Sequence, residues 1–258
     1  MCEHKGSEKL FRLLQVQAGL SRRKAQDLIA SGEVTINNES VDDPFAVVDV
    51  SGREKTVRIR LRGHPIALAS PEHRVYRFHK PAGMLCSHDD RYDGNTVGRV
   101  LRAEGFIGYT WAGRLDQDAE GLLLVSNCGD LINYLTHPRY GVRKQYAVWT
   151  ASRVPPDKIR KMAGAMCEGI VEGGDELRAI DLTSSKRGSF RITLSEGKKH
   201  EVKRLFSYFG VTVSRLQRVS MSTVELQDLR PGTFQRLAAN EEQNLLRIAL
   251  NATGKAGP

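Results

Sequence analysis

Three stretches of the sequence hold side chains of the kind that make and break covalent bonds. In GRLDQDAEG, residues 113–121, three acids fall within five positions: Asp116, Asp118 and Glu120. A carboxylate can act as nucleophile, take a proton or ligate a metal ion. The apolar run Leu122–Leu123–Leu124–Val125 reads as a buried strand, which puts the acids on a loop at a strand's mouth. A turn-forming role is the ordinary reading of a lone loop acid, and spacing alone selects none of the three. Lys144–Gln145–Tyr146 enters a second strand, where a tyrosine is most often a core or interface aromatic. EGKKHEVKRL, residues 196–205, opens a helix crowded with cations and is by itself a solvated basic face.

The elements that must hold these groups begin with two short helices. Ser7 is the expected N-cap of the first, with Leu10, Leu13 and Leu14 at helical spacing and Gly19 as its left-handed stop. Ser21 caps the second, which turns Arg22, Arg23 and Lys24 outward and Ala25, Leu28 and Ile29 inward. A hairpin follows, Val34–Ile36 against Ser40–Val41, turning at Asn37–Asn38. Residues 61–73 mix glycine, prolines and small residues without periodicity and read as a linker. Beyond it strands and helices intermix. Val75–Phe78, Leu122–Ser126 and Tyr146–Trp149 read as strands, and so do two stretches around a basic turn at Ser184–Gly188. Asp130–Thr136, Pro155–Met166 and Lys199–Phe209 read as helices. The order suggests an α+β fold. The expected organisation is a small domain over 1–60, a linker over 61–73, a larger domain over 74–250 and a frayed tail over 251–258.

At 258 residues the chain is long enough for one or two domains, with 40% hydrophobic and 27% charged residues. No apolar run approaches a membrane span, and the N-terminus lacks the apolar stretch of a signal peptide, so a cytoplasmic location is the expectation. The four cysteines form no C-x-x-C pair, which argues against structural zinc and against a disulfide framework. Net charge is +9, and nine Lys/Arg against two Asp/Glu between Lys186 and Arg218 match most of that excess. A second basic run spans Arg53–Lys80. Two focused runs point to a nucleic-acid partner.

GLSRRKAQDLIASGEVTINNESV resembles the small RNA-binding domain first seen in ribosomal protein S-four, with its ordered "SRR", "LI" and "G-x-V-x-I-N". The resemblance covers roughly residues 8–55. It implies that Arg22, Arg23 and Lys24 meet RNA phosphates, to which guanidinium groups are geometrically matched.

The later segments, taken in order, resemble the ribosomal RNA pseudouridine synthases of the RsuA/RluB/RluE/RluF family. HKPAG (79–83), GRLDQDAEGLLL (113–124), KQY (144–146) and EGKKHEVKR (196–204) follow that family's succession of motifs. With the S-four-like segment, the resemblance spans about residues 8–237. It implies a catalytic domain built on a mixed, largely antiparallel sheet flanked by helices. It also implies isomerisation of a specific uridine in ribosomal RNA, and one segment, RLQRVSMSTVEL, leans slightly toward the large subunit. By the same resemblance Asp116 is the essential acid, Tyr146 the aromatic on the uracil and Lys203 the cation paired with Asp116. Arg204 is a second-choice cation and RNA contact, Lys80 an RNA contact, and Arg114 the side chain that fills the space vacated by the flipped base. The reaction breaks the C1′–N1 bond and joins C1′ to C5 with no redox change, so neither cofactor nor metal is expected. Ala119, Glu120, Arg143 and Glu201 depart from the usual residues without removing a catalytic group. A monomer is the default expectation. Two other readings remain at this point: a non-catalytic RNA-binding or ribosome-assembly factor on the same scaffold, and a metal-dependent nuclease using Asp116, Asp118 and Glu120.

Overall fold

Asn37 and Asn38 both take positive φ, 51° and 73°, and a two-residue turn of that kind matches the twist of a hairpin. The computed structural model describes residues 7–49, 57–66, 72–184 and 189–254. The chain divides into two compact units, 1–73 with 101–109 and 74–100 with 110–258.

The first unit runs β1 (Ser7–Lys9), α1 (Leu10–Gln17), α2 (Arg22–Ala30), β2 (Val34–Ile36), β3 (Glu39–Val41), β4 (Val47–Asp49), β5 (Ile59–Leu61) and β6 (His64–Ile66). Strands β3-β2-β5-β6 form one sheet and β1 pairs with β4. Leu10, Leu13, Leu14, Ala25, Ile29, Val34 and Ile59 make its core. Two expectations are corrected here. Ser7 is not an N-cap: it pairs with Asp49 in β1, and α1 starts at Leu10 with no side-chain cap. The stretch read as linker from residue 61 contains β6, because Arg62 and Gly63 both adopt positive φ and turn the chain back onto β5. Pro65 is tolerated because β6 is an edge strand. The cap of α2 is as expected, with Ser21 Oγ accepting from Lys24 N at 3.2 Å.

The second unit contains β7 (Val75–Lys80), α3 (Val97–Ala103, whose end falls in the first unit), β8 (Thr110–Trp111), β9 (Glu120–Ser126), α4 (Gly129–Thr136), β10 (Lys144–Thr150), α5 (Pro156–Glu168), β11 (Ile170–Glu172), β12 (Asp175–Leu177), β13 (Asp181–Ser184), β14 (Ser189–Leu194), α6 (Glu201–Tyr208), β15 (Val213–Met221), β16 (Val224–Glu225), β17 (Phe234–Arg236) and α7 (Ala239–Ala252). Its main sheet has the order β13-β14-β10-β15-β9-β7-β17, with β8 on β9 and β16 on β15. Among the described strands only β15 and β9 pair in parallel; the fold is α+β with a mixed, largely antiparallel sheet. Leu122 to Val125 are all fully buried, which is why β9 reads as an unbroken apolar run. Helices α4 and α7 pack over Leu122 and Leu124, and Phe206 of α6 meets Phe190 of β14 edge-on at 5.5 Å. The expected basic turn between β13 and β14 lies largely outside the described residues. The tail is shorter than read, since α7 continues through Asn251 and Ala252.

Candidate active site

The loop that carries Asp116 is locked from below. The Lys80 ammonium, at the end of β7, donates to the carbonyls of Pro81 (3.0 Å), Gln117 (3.2 Å) and Ala119 (2.6 Å). Gly83 N adds a bond to Gln117 O at 2.7 Å, and Leu115 N donates to Cys86 Sγ at 3.4 Å. Burial pushes the Lys80 ammonium below its ordinary value, while Cys86, Asp118, Asp116 and Glu120 act the other way. Lys80 is fully buried with its three donors engaged. The expectation that it contacts RNA is therefore corrected: it is the clamp of the acidic loop.

Asp116 projects from this loop about a quarter exposed, and its Oδ2 lies 2.9 Å from His200 Nδ1. His200 holds a left-handed backbone (φ 53°, ψ 28°) immediately before α6. That conformation is uncommon for a non-glycine residue and is enriched at functional sites. The turn that holds it is closed by Lys198 N donating to Glu201 Oε2 at 2.8 Å and Glu201 N donating to Lys198 O at 3.2 Å. Glu201 is buried, and desolvation raises its pKa against the Lys198 hydrogen bond. From sequence, His200 stood within the EGKKHEVKR motif with no role of its own; its adjacency to a helix start was the available signal.

Lys203 does not pair with Asp116 as expected. Its ammonium donates to both carboxylate oxygens of Asp118, and this hydrogen bond holds Asp118 below the ordinary carboxylate value. Lys203 lies close to one helical turn beyond His200, so the two address neighbouring acids of one loop. Glu120 in turn pairs with Arg215 at 2.6 Å. The three acids thus point to three different basic side chains. Among the described residues no group of three His, Cys, Asp or Glu stands close enough to hold a metal ion. Arg204, expected at the RNA, instead donates to Glu172, to the Glu172 carbonyl and to Asp175 (2.7 Å), fastening α6 to the β11–β12 hairpin. Arg114 is exposed, two residues before Asp116.

Tyr146 sits buried on β10, directly across from Ile192 of β14 and Arg218 of β15. Arg218 is paired in turn with Gly121 of β9. Tyr146 and the strand that follows the acidic loop are therefore two strand spacings apart, roughly 10 Å. Gly121 has φ 110°, and a Cβ there would lie 2.3 Å from Arg218 O, so glycine is required for the parallel pairing. Lys144, buried two residues before Tyr146, donates to Val142 O (3.1 Å) and Glu196 O (3.4 Å). Burial and then Arg218 lower its pKa to about 8, against the pull of Glu201 and Glu196.

The RNA pseudouridylate synthase family model matches residues 74–208, and the S4 domain matches residues 10–51. Ribosomal small subunit pseudouridine synthase A of Vibrio parahaemolyticus is 32% identical over 246 residues, 90% of this chain and 97% of that protein. Ribosomal large subunit pseudouridine synthase B of Yersinia pestis is 33% identical over 227 residues, 85% of this chain and 69% of that protein. A crystal structure of a pseudouridylate synthase superposes with a TM-score of 0.61 at 27% identity, covering 92% of this chain and 98% of that one. The chain belongs to the RNA pseudouridylate synthase family and carries an S4 domain ahead of the catalytic fold. It is accordingly an isomerase, a pseudouridine synthase.

Proposed function

We propose that this enzyme converts a specific uridine of ribosomal RNA to pseudouridine, with Asp116 initiating cleavage of the C1′–N1 bond. The observation that carries the reading is the Asp116 carboxylate, held by a clamped loop, backed by His200 and open to solvent on its remaining side. Asp116 acts as nucleophile at the ribose or as base on it. The bonding pair leaves on the uracil ring, the ring turns, C5 bonds to C1′, and the C5 proton departs as N1 takes up a proton. Tyr146 stacks on the uracil and assists removal of that proton. Lys203 holds the Asp118 carboxylate, two residues from Asp116 on the same loop, in its ionised form. Arg114 fills the gap left by the flipped base. Arg22, Arg23 and Lys24, exposed at the start of α2, take RNA phosphates. The reaction conserves atoms and oxidation state, so it calls for no cofactor. The relatives act, by name, on both ribosomal subunits. We favour the large subunit, a monomer as the working form, and the cytoplasm as the place.

The test is tritium release from ribosomal RNA labelled at uracil C5, with EDTA present, on unmodified RNA of each subunit. Wild-type enzyme is expected to release tritium from large-subunit RNA. Asp116→Ala is expected to lose at least about a thousandfold in rate, the range for removing an essential acid–base group. Release by Asp116→Ala at the wild-type rate would falsify the assignment. Binding without release, on free RNA and on assembly intermediates alike, would leave a non-catalytic assembly factor.

A further inference from the structure

Arg218 is the bulkiest of the fully buried side chains, 1% exposed, and it lies between the parts of the proposed site. Its Nε donates to Leu122 O at 2.7 Å, tying β15 to β9 just past the acidic loop. A terminal guanidinium nitrogen lies 4.0 Å from where a Cβ on Gly113 would stand, so the group runs beneath the first residue of the GRLD turn. Across the strand on the other side is Tyr146. The other terminal nitrogen has no hydrogen-bond partner, and no described carboxylate forms an ion pair with Arg218. The buried charge that Arg218 does feel is another cation: it helps depress Lys144, which faces Glu196 and Glu201 as its counter-charges. A buried, uncountered guanidinium destabilises a fold, and a neutral side chain of equal length fills the same space at lower cost. Its presence is accounted for if charge is needed there.

We infer that Arg218 is a positioning residue for the isomerisation, holding the Asp116 turn and the Tyr146 strand in register. Its uncountered charge also keeps the floor of the pocket positive. The inference rests on the synthase reading above. In that reaction the C1′–N1 electron pair passes to the uracil ring and is used to form the C1′–C5 bond; the C5 proton then goes to solvent while N1 takes up a proton in its place. A fixed positive charge in a low-dielectric floor favours the interval in which the ring holds that pair.

The experiment compares full-length wild type, Arg218→Met and Arg218→Lys. Three quantities are read: thermal midpoint, Kd for ribosomal RNA, and single-turnover tritium release at saturating RNA. Arg218→Met is expected to keep its midpoint within about 5 °C. Its release rate falls at least about a hundredfold at unchanged Kd, as for loss of one preorganised electrostatic group. Arg218→Lys recovers at least about tenfold of that loss, because charge is restored without the planar fork. Equal rate losses in both variants, tracking equal falls in midpoint, reduce Arg218 to a strut between strands and overturn the inference. So does a rate for Arg218→Met within about threefold of wild type. If Arg218→Met does not fold, a folded Arg218→Lys that loses more than about a hundredfold overturns it, and one that stays within about tenfold upholds it. The charge is also read without activity, from the Lys144 ammonium titration by carbon-13 NMR. Its midpoint, about 8 in the wild type, rises in Arg218→Met and stays in Arg218→Lys; no rise overturns the inference. An inactive wild type with the Lys144 rise intact rejects the synthase reading alone.

Discussion

At the scale of single residues, the site is a set of pairings between basic side chains and the acids of one loop, and the pairings differ from what residue types alone suggest. His200 rather than Lys203 meets Asp116, because the left-handed backbone at His200 turns its ring toward the loop while Lys203 reaches the next acid along it. The imidazole is expected to fix the direction of the Asp116 carboxylate. His200→Gly removes the ring while suiting the positive φ, which separates side-chain loss from backbone strain. Single-turnover tritium release should fall about ten- to a hundredfold, the range for a misdirected catalytic group, with RNA affinity unchanged. In Asp116→Ala the same substitution should cost nothing further, since there is no carboxylate left to direct. Additive losses in the double variant, or a loss confined to RNA affinity, would refute a role exerted through Asp116. The clamp residue Lys80 makes the complementary point: a cation in the same motif series is buried and spends its three donors on the backbone of the loop.

Elements decide how such residues meet, and here legibility from sequence divides cleanly. The Ser21 cap, the Asn37–Asn38 turn, the buried run of β9 and the amphipathic α6 were readable because each is a local pattern. β1, β6 and the β15–β9 pairing were not, because strand partners come from distant sequence and three-residue strands have no usable period. The acids could be found but not assigned, since the partners of Asp116 and Asp118 depend on the turn at Lys198–His200 and that of Glu120 on β15 lying beside β9. Gly121 shows how much hangs on one non-local approach. It lies five residues after Asp116, and its missing side chain lets the Arg218 backbone pass close by. Gly121→Ala combines an unfavourable positive φ with a backbone clash, which together should cost on the order of 3 kcal/mol. For a chain of this size that lowers the thermal midpoint by roughly 6–12 °C. Gly197→Ala, where an added Cβ meets nothing within 4 Å, is the control and should change stability by less than about 0.5 kcal/mol. Equal midpoints for the two variants in a thermal scan would mean that the β15–β9 pairing is not what requires glycine.

Over the whole molecule, chemistry and RNA anchoring are assigned to different units, and that division can be tested without separating them. The groups proposed for catalysis all lie in the second unit, whereas Arg22, Arg23 and Lys24, proposed for RNA, lie exposed at the start of α2 in the first. Of the three, Arg22 also packs over the Phe11 ring, 5.0 Å from its centre, which holds that guanidinium on the surface of its own core. An excess of nine positive charges means that binding to phosphates releases counterions, so affinity must fall steeply with salt. Replacing all three with alanine in the full-length protein should weaken ribosomal RNA binding at every salt concentration. The slope of log K against log salt should shrink by up to about 3, near one unit for each phosphate no longer neutralised. Once RNA is saturating, the single-turnover rate of tritium release should equal that of wild type, because nothing within the second unit has changed. Affinity that is unaltered across the salt series would remove these side chains from the RNA interface. A rate that falls at saturation would instead mean that α2 helps present the uridine to Asp116 rather than merely holding the RNA near it.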